Sequence, residues 1–83
     1  MEYKLIKPIT KANGETVESV TIKEEFTGRE FKTIGDAGGQ GSQSVKMAVF
    51  ATGLTETVVL NMDARDVSAI SRLVRPFFDD GEA

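Results

Sequence analysis

Apolar and polar residues alternate at the start of the chain. Tyr3, Leu5 and Ile9 share one phase of a period-two pattern, which predicts a strand over residues 3–9. Pro8 has no amide hydrogen to give to a ladder and puts this strand at an edge or near its own end. Asn13-Gly14 follows, a pair that tolerates positive φ and predicts a tight turn. A second strand then runs over 16–23 with Val20 and Ile22 in phase. Val17 is out of phase, which predicts a bulge or a strand start beside it. Residues 1–23 therefore read as a β-hairpin.

The period changes beyond Lys23. In Thr27-Gly28-Arg29-Glu30, the threonine is placed to accept from the backbone amide of Glu30, and the Glu30 side chain to reach back to the amide of Thr27. This capping box predicts a short helix over 28–36, with Phe31 and Ile34 on one face and Phe26 positioned to staple onto Phe31. Residues 37–44 hold Gly38, Gly39 and Gly41 and no apolar side chain larger than alanine, and read as a flexible glycine-rich loop. Val45, Ala48, Val49 and Leu54 have helical spacing, with Met47 and Phe50 beside them. Ser42 or Ser44 supplies an N-cap and Gly53 a C-terminal stop.

Val58-Val59-Leu60 reads equally as a short strand or as part of a turn between helices. The next element is plainer. Asp63 caps a helix whose first turn carries Asp66, where a carboxylate suits the helix dipole. Val67, Ile70, Leu73, Val74 and Phe77 form its apolar stripe, and Pro76 kinks or stops it. The segments over 45–78 form the helical part, and 79–83 an acidic tail. The predicted order is β-β-α-α-α: an α+β fold in a single small domain spanning 1–83, with two to three short helices packed on one face of the hairpin.

At 83 residues the chain buries only roughly 60–65% of the surface it exposes when unfolded, so its core is thin. A deep, walled reaction cavity would remove much of that core. With 40% hydrophobic and 28% charged residues the chain is globular rather than disordered. A net charge of −3, with basic residues scattered among acids, speaks against nucleic acid as partner. No apolar run approaches the length of a membrane span or a signal peptide, which predicts a cytoplasmic protein.

The chain has no cysteine and no histidine. The commonest ligands for zinc and other transition metals, and the commonest general base, are therefore missing. Gly39-Gln40-Gly41 begins a dinucleotide fingerprint, but Ser44 occupies the third glycine position and no βαβ unit fits around it. Asp63 and Asp66 share a helix face, yet helix capping accounts for both. Ser42, Ser44, Ser68 and Ser71 lack an imidazole partner, and nothing marks Lys32 or Lys46 as a desolvated base. The reading assigns no catalytic residue, no cofactor and no metal.

Phe77-Phe78 stands apart from this chemistry. Neighbouring side chains on a helix diverge by about 100°, so one packed face does not hold both rings. An aromatic left exposed beside Pro76 is a candidate partner contact. Phe77, Phe78, Leu73 and Phe50 are the partner-binding candidates.

Several stretches together carry a family resemblance: Leu5-Ile6-Lys7-Pro8-Ile9, Asn13-Gly14-Glu15, Val20-Thr21-Ile22, Thr27-Gly28-Arg29-Glu30-Phe31, Ala51-Thr52-Gly53-Leu54, Leu60-Asn61-Met62-Asp63-Ala64-Arg65-Asp66 and Val74-Arg75-Pro76-Phe77-Phe78. In this order they resemble the short tail assembly chaperones of Mu-like and related contractile-tailed phages. The resemblance implies a protein of a phage or prophage that binds the tape measure protein until tube subunits polymerise around it, and that is absent from the finished virion. It also implies, as in many relatives, a longer frameshifted form of the chain. The alternative from another class is a small regulatory adaptor or antitoxin-like protein that binds one folded partner. An enzyme ranks below both.

Overall fold

The computed structural model describes residues 1–78, and the acidic tail predicted over 79–83 lies outside them. Strands β1 (Glu2–Thr10) and β2 (Thr16–Thr21) form an antiparallel two-stranded sheet. Four helices follow: α1 (Gly28–Gly35), α2 (Gln40–Thr52), α3 (Glu56–Leu60) and α4 (Ala64–Val74), the last running into a 3₁₀ turn over Arg75–Phe78. The architecture is α+β, as the patterning predicts, with one helix more than expected.

The hairpin turn is wider than the Asn13-Gly14 pair suggests. The Lys11 carbonyl accepts the Gly14 amide at 2.9 Å, and the Lys11 amide donates to the Glu15 carbonyl at 2.8 Å. Only Gly14, at φ +88°, needs the left-handed region. Asn13 stays outside it and uses its side-chain oxygen to accept the Glu15 amide at 2.9 Å.

The irregularity signalled by Val17 lies across the ladder, in β1. Lys4 pairs with Ser19 and Ile9 with Val17, so Leu5, Ile6, Lys7 and Pro8 stand opposite Glu18 alone. The excess residues let Leu5 and Ile9 both turn inward while Ile6, Lys7 and Pro8 face out.

The capping box of α1 forms as read. Thr27 accepts the Glu30 amide at 3.2 Å and Glu30 accepts the Thr27 amide at 2.9 Å. The glycine-rich stretch is shorter than the 37–44 loop expected from its composition. Helix α2 begins at Gln40, its N-cap is Gly39, and neither Ser42 nor Ser44 caps it. Helix propagation is cooperative. Burial of Met47, Ala48 and Ala51 on the core extends the helix backward through Gly41 despite the roughly 1 kcal/mol cost of a helical glycine. The stop at Gly53 is as predicted: φ is +76° and its amide donates to the Val49 carbonyl at 2.9 Å.

The Val58-Val59-Leu60 run is neither strand nor turn but the body of α3. Thr55 caps it by accepting the Val58 amide at 3.3 Å. Local capping and burial of Val59 override the β-branched composition. Helix α4 packs along α2, and both close one face of the hairpin over a core built around Leu5, Ile22, Ala48, Val59, Ile70 and Val74. Phe77 leaves the predicted stripe. Val67, Ile70 and Val74 are buried and Leu73 is half-buried against the core, but Phe77 sits past the helix end and outside the core cluster.

Candidate partner-binding surface

Pro76 sets the geometry of the C-terminal end. It has no amide hydrogen to continue the helical ladder, and the chain tightens into the 3₁₀ turn directly after α4. The Phe78 ring is thereby carried onto α1. It packs edge-on to Phe26 with centroids 4.9 Å apart and tilts against Phe31 at 5.6 Å. The expected staple between Phe26 and Phe31 is thus built through a third ring. The Lys23 ammonium lies 4.9 Å above Phe26 and pairs with Glu30, linking the cluster to the capping box. Lys23 first, and then the Thr27 amide, hold the Glu30 carboxyl below the usual carboxylate range.

Beside this cluster an open groove of about 710 Å³ runs between α1, α2 and the 3₁₀ turn. Phe31, Ile34, Met47 and Phe78 give it an apolar wall, and Lys32, Asp36, Gln43 and Arg75 stand around it. Lys32 and Asp36 neutralise each other at 2.8 Å. Phe31 is 58% exposed, the one large aromatic ring so presented among the described residues. Of the four candidates from sequence, Phe78 alone lines this groove. Leu73 is half-buried against the core, while Phe77 and Phe50 are half-exposed and lie outside both the core cluster and the groove. Phe31 is the residue that sequence reasoning left out, because its helical spacing assigned it to a staple.

A second groove, of about 470 Å³, opens where α2, α3 and α4 meet. Val45, Val59, Leu60, Met62 and Val67 line it without any charged side chain.

The two aspartates singled out for acid–base chemistry do not share a cleft. Asp63 is the N-cap of α4, where its carboxylate accepts from the Arg65 amide at 2.8 Å and from its guanidinium at 3.0 and 3.1 Å. The Arg65 guanidinium, followed by the Arg65 amide, lowers the Asp63 pKa to about 2. Asp66 is fully buried and accepts the Tyr3 hydroxyl and the Ile6 amide, each at 2.8 Å, and the Lys7 amide at 3.1 Å. Burial, and then the bond to Asp66, push the Tyr3 hydroxyl above its ordinary pKa. Ser71 donates to the Ser68 carbonyl at 2.8 Å, and the Ser68 hydroxyl accepts from Arg72 at 3.0 Å. Among the described residues no cluster of acidic side chains could hold a metal ion, and no helix is long and apolar enough to cross a membrane.

What this arrangement offers is contact: an aromatic patch, an apolar groove and a rim of charge. The family model of phage tail assembly chaperone proteins, described as E, or 41 or 14, matches residues 2–79. The chain belongs to this family. The match covers the hairpin, all four helices and the Phe26–Phe31–Phe78 cluster. It places the chain in phage tail assembly, in a chaperone's role, within a family that in general is non-enzymatic. Comparison with curated proteins and with solved structures returns no match.

Proposed function

We propose that this tail assembly chaperone binds the tape measure protein in the cytoplasm of the bacterial host, without catalysis, and keeps it soluble until the tail tube forms around it. The observation that carries this reading is the exposed Phe31 ring beside an apolar groove that Ile34, Met47 and Phe78 also line. An amphipathic helix of the client lays its apolar ridge into that groove over the exposed Phe31 ring, and the half-exposed Phe77 adds a contact from outside the groove. Leu73 and Phe50 contribute from the adjoining surface. The acidic net charge keeps the loaded complex soluble. The family match over residues 2–79 favours this reading over an adaptor or antitoxin-like protein. A longer form made by ribosomal frameshifting carries the same domain and the same groove.

The test is co-expression of the chain with the tape measure protein from the same genome, scoring soluble client and its capture. The expected result is stable capture by the wild-type chain and loss of capture by the F31A/F77A double variant with its thermal midpoint little changed. Failure of the wild type to hold the client removes the client assignment. Unimpaired capture by the double variant removes the surface assignment. Mass spectrometry of material made from the native gene reads out the longer form.

A further inference from the structure

The sheet has two outer edges, and the fold treats them differently. Met1 and Ile22 exchange two hydrogen bonds, at 2.6 and 3.1 Å. In an antiparallel ladder such pairs alternate with non-bonded ones. With Glu2 opposite Thr21, Tyr3 opposite Val20 and Lys4 opposite Ser19, the amides of Val20 and Ile22 point into the ladder. Those of Ser19 and Thr21 point away from it. The next outward amide, that of Lys23, donates to the Ala51 carbonyl of α2 at 3.0 Å. On the β1 side the amides of Ile6 and Lys7 are taken by the buried Asp66, and Pro8 has none to offer. The amides of Glu2 and Lys4 also point away from the ladder, so each strand keeps two outward donors without a partner among the described residues, and it is charge that separates the edges: Lys4 lies on the β1 side and Glu18 on the β2 side. Ser19 and Thr21 are exposed, and their amides have no partner among the described residues.

An uncovered edge of β-branched residues is a template for another strand, and charge determines which strand fits. Residues 13–25 carry Glu15, Glu18, Glu24 and Glu25 against Lys23 alone, a net −3. That equals the formal charge of the whole chain, so the remainder is neutral. Glu15 is paired with Lys11 and Glu24 with the N-terminal amine, while Glu18 and Glu25 have no salt-bridge partner among the described residues. Lys4 is the one cation directly across the ladder from the open stretch. A second copy pairing through the same edge would set one acidic arm against another.

We infer that the outer edge of β2 is a docking edge for an extended, lysine- or arginine-bearing polypeptide segment. The segment adds a third strand by bonding to the backbone of Ser19 and Thr21, with a cation facing Glu18, the acid within β2 itself. This site is separate from the apolar groove and does not depend on what occupies that groove.

The probe is a short synthetic peptide of alternating valine and lysine, with a valine–glutamate peptide as its counterpart. Hydrogen exchange and amide shifts of the full chain read the outcome. The expected result is that the lysine peptide slows exchange at Ser19 and Thr21, that added salt weakens it, and that the glutamate peptide has no effect. Ser19→Pro removes an outward donor without touching the ladder and weakens binding about tenfold, the equivalent of one backbone bond. Thr21→Pro does the same at the second donor, and a thermal melt confirms that each variant folds. Glu18→Lys weakens binding without altering the edge. Binding undiminished in both folded proline variants reveals charge adsorption alone and overturns the inference. So does equal binding of the two peptides, binding of neither, or protection at Ser19 and Thr21 that rises with protein concentration in the absence of peptide, which identifies a second copy as the occupant.

Discussion

The Asp66 carboxylate, in the first turn of α4, accepts the Tyr3 hydroxyl at 2.8 Å, joining residues 63 positions apart in the chain. The same carboxylate takes the two amides that the bulge in β1 turns away from its partner strand. Asp66→Ala leaves three donors without an acceptor and is expected to cost about 3 kcal/mol in stability. Tyr3→Phe removes one donor and leaves the amides satisfied, at a cost of about 1 kcal/mol. Urea denaturation of the two variants distinguishes them. Equal losses would show that the amides contribute nothing.

Phe77 and Phe78 separate by role. Phe78→Ala deletes the ring between Phe26 and Phe31 and is expected to lower stability by about 2 kcal/mol. Phe77→Ala, outside the core cluster, changes it by no more than about 0.5 kcal/mol. Thermal melts of the single variants check this, and reversal of the order would misplace the aromatic cluster.

The depressed pKa of Asp63 makes one part of the stability pH-dependent. A carboxyl whose folded pKa, about 2, lies below its ordinary 3.8 stabilises the fold fully above the higher value. That contribution disappears as pH falls through the lower one. Asp63→Ala is expected to flatten the stability profile between about pH 4 and pH 2 and to leave its slope near neutrality unchanged. Arg65→Ala moves the Asp63 titration up toward 3.8, which carbon-detected NMR of the carboxyl reads directly.

Hydrogen exchange locates the start of α2. The Gln43 amide donates to the Gly39 carbonyl at 3.0 Å, so protection is expected from residue 43 onward. The amides of residues 38–42 exchange fast, and those of 47–52 and 67–74 slowly. Fast exchange through residue 46 would restore the longer loop suggested by composition.

Signals confined to a few neighbouring residues were legible without coordinates. The Thr27–Glu30 box, the Asp63 cap, the Gly53 stop and the stripe of Val67, Ile70 and Val74 each state their own geometry. Where tertiary burial decided the outcome, local reading failed. Composition made a loop of Gln40–Ser44, and β-branching left Val58–Leu60 open, yet the packing of α2 on α4 and of α3 on α2 made both helical. Asp66 was read as a first-turn carboxylate, which it is, but its attachment to β1 depends on contacts about 60 residues away. Nothing near Asp66 in the chain announces them. The candidate surface was half legible: Phe78 lines the groove, but only the folded chain shows that Pro76 swings it onto Phe31.

The Asp66 tie also orders events during synthesis. The strand that it secures leaves the ribosome first, and the carboxylate that satisfies it follows only after most of the remaining chain. Until then the hairpin has neither its clamp nor the second of the two helices that cover it. A nascent copy therefore has no finished binding surface to offer before α4 and the turn that carries Phe78 have been made.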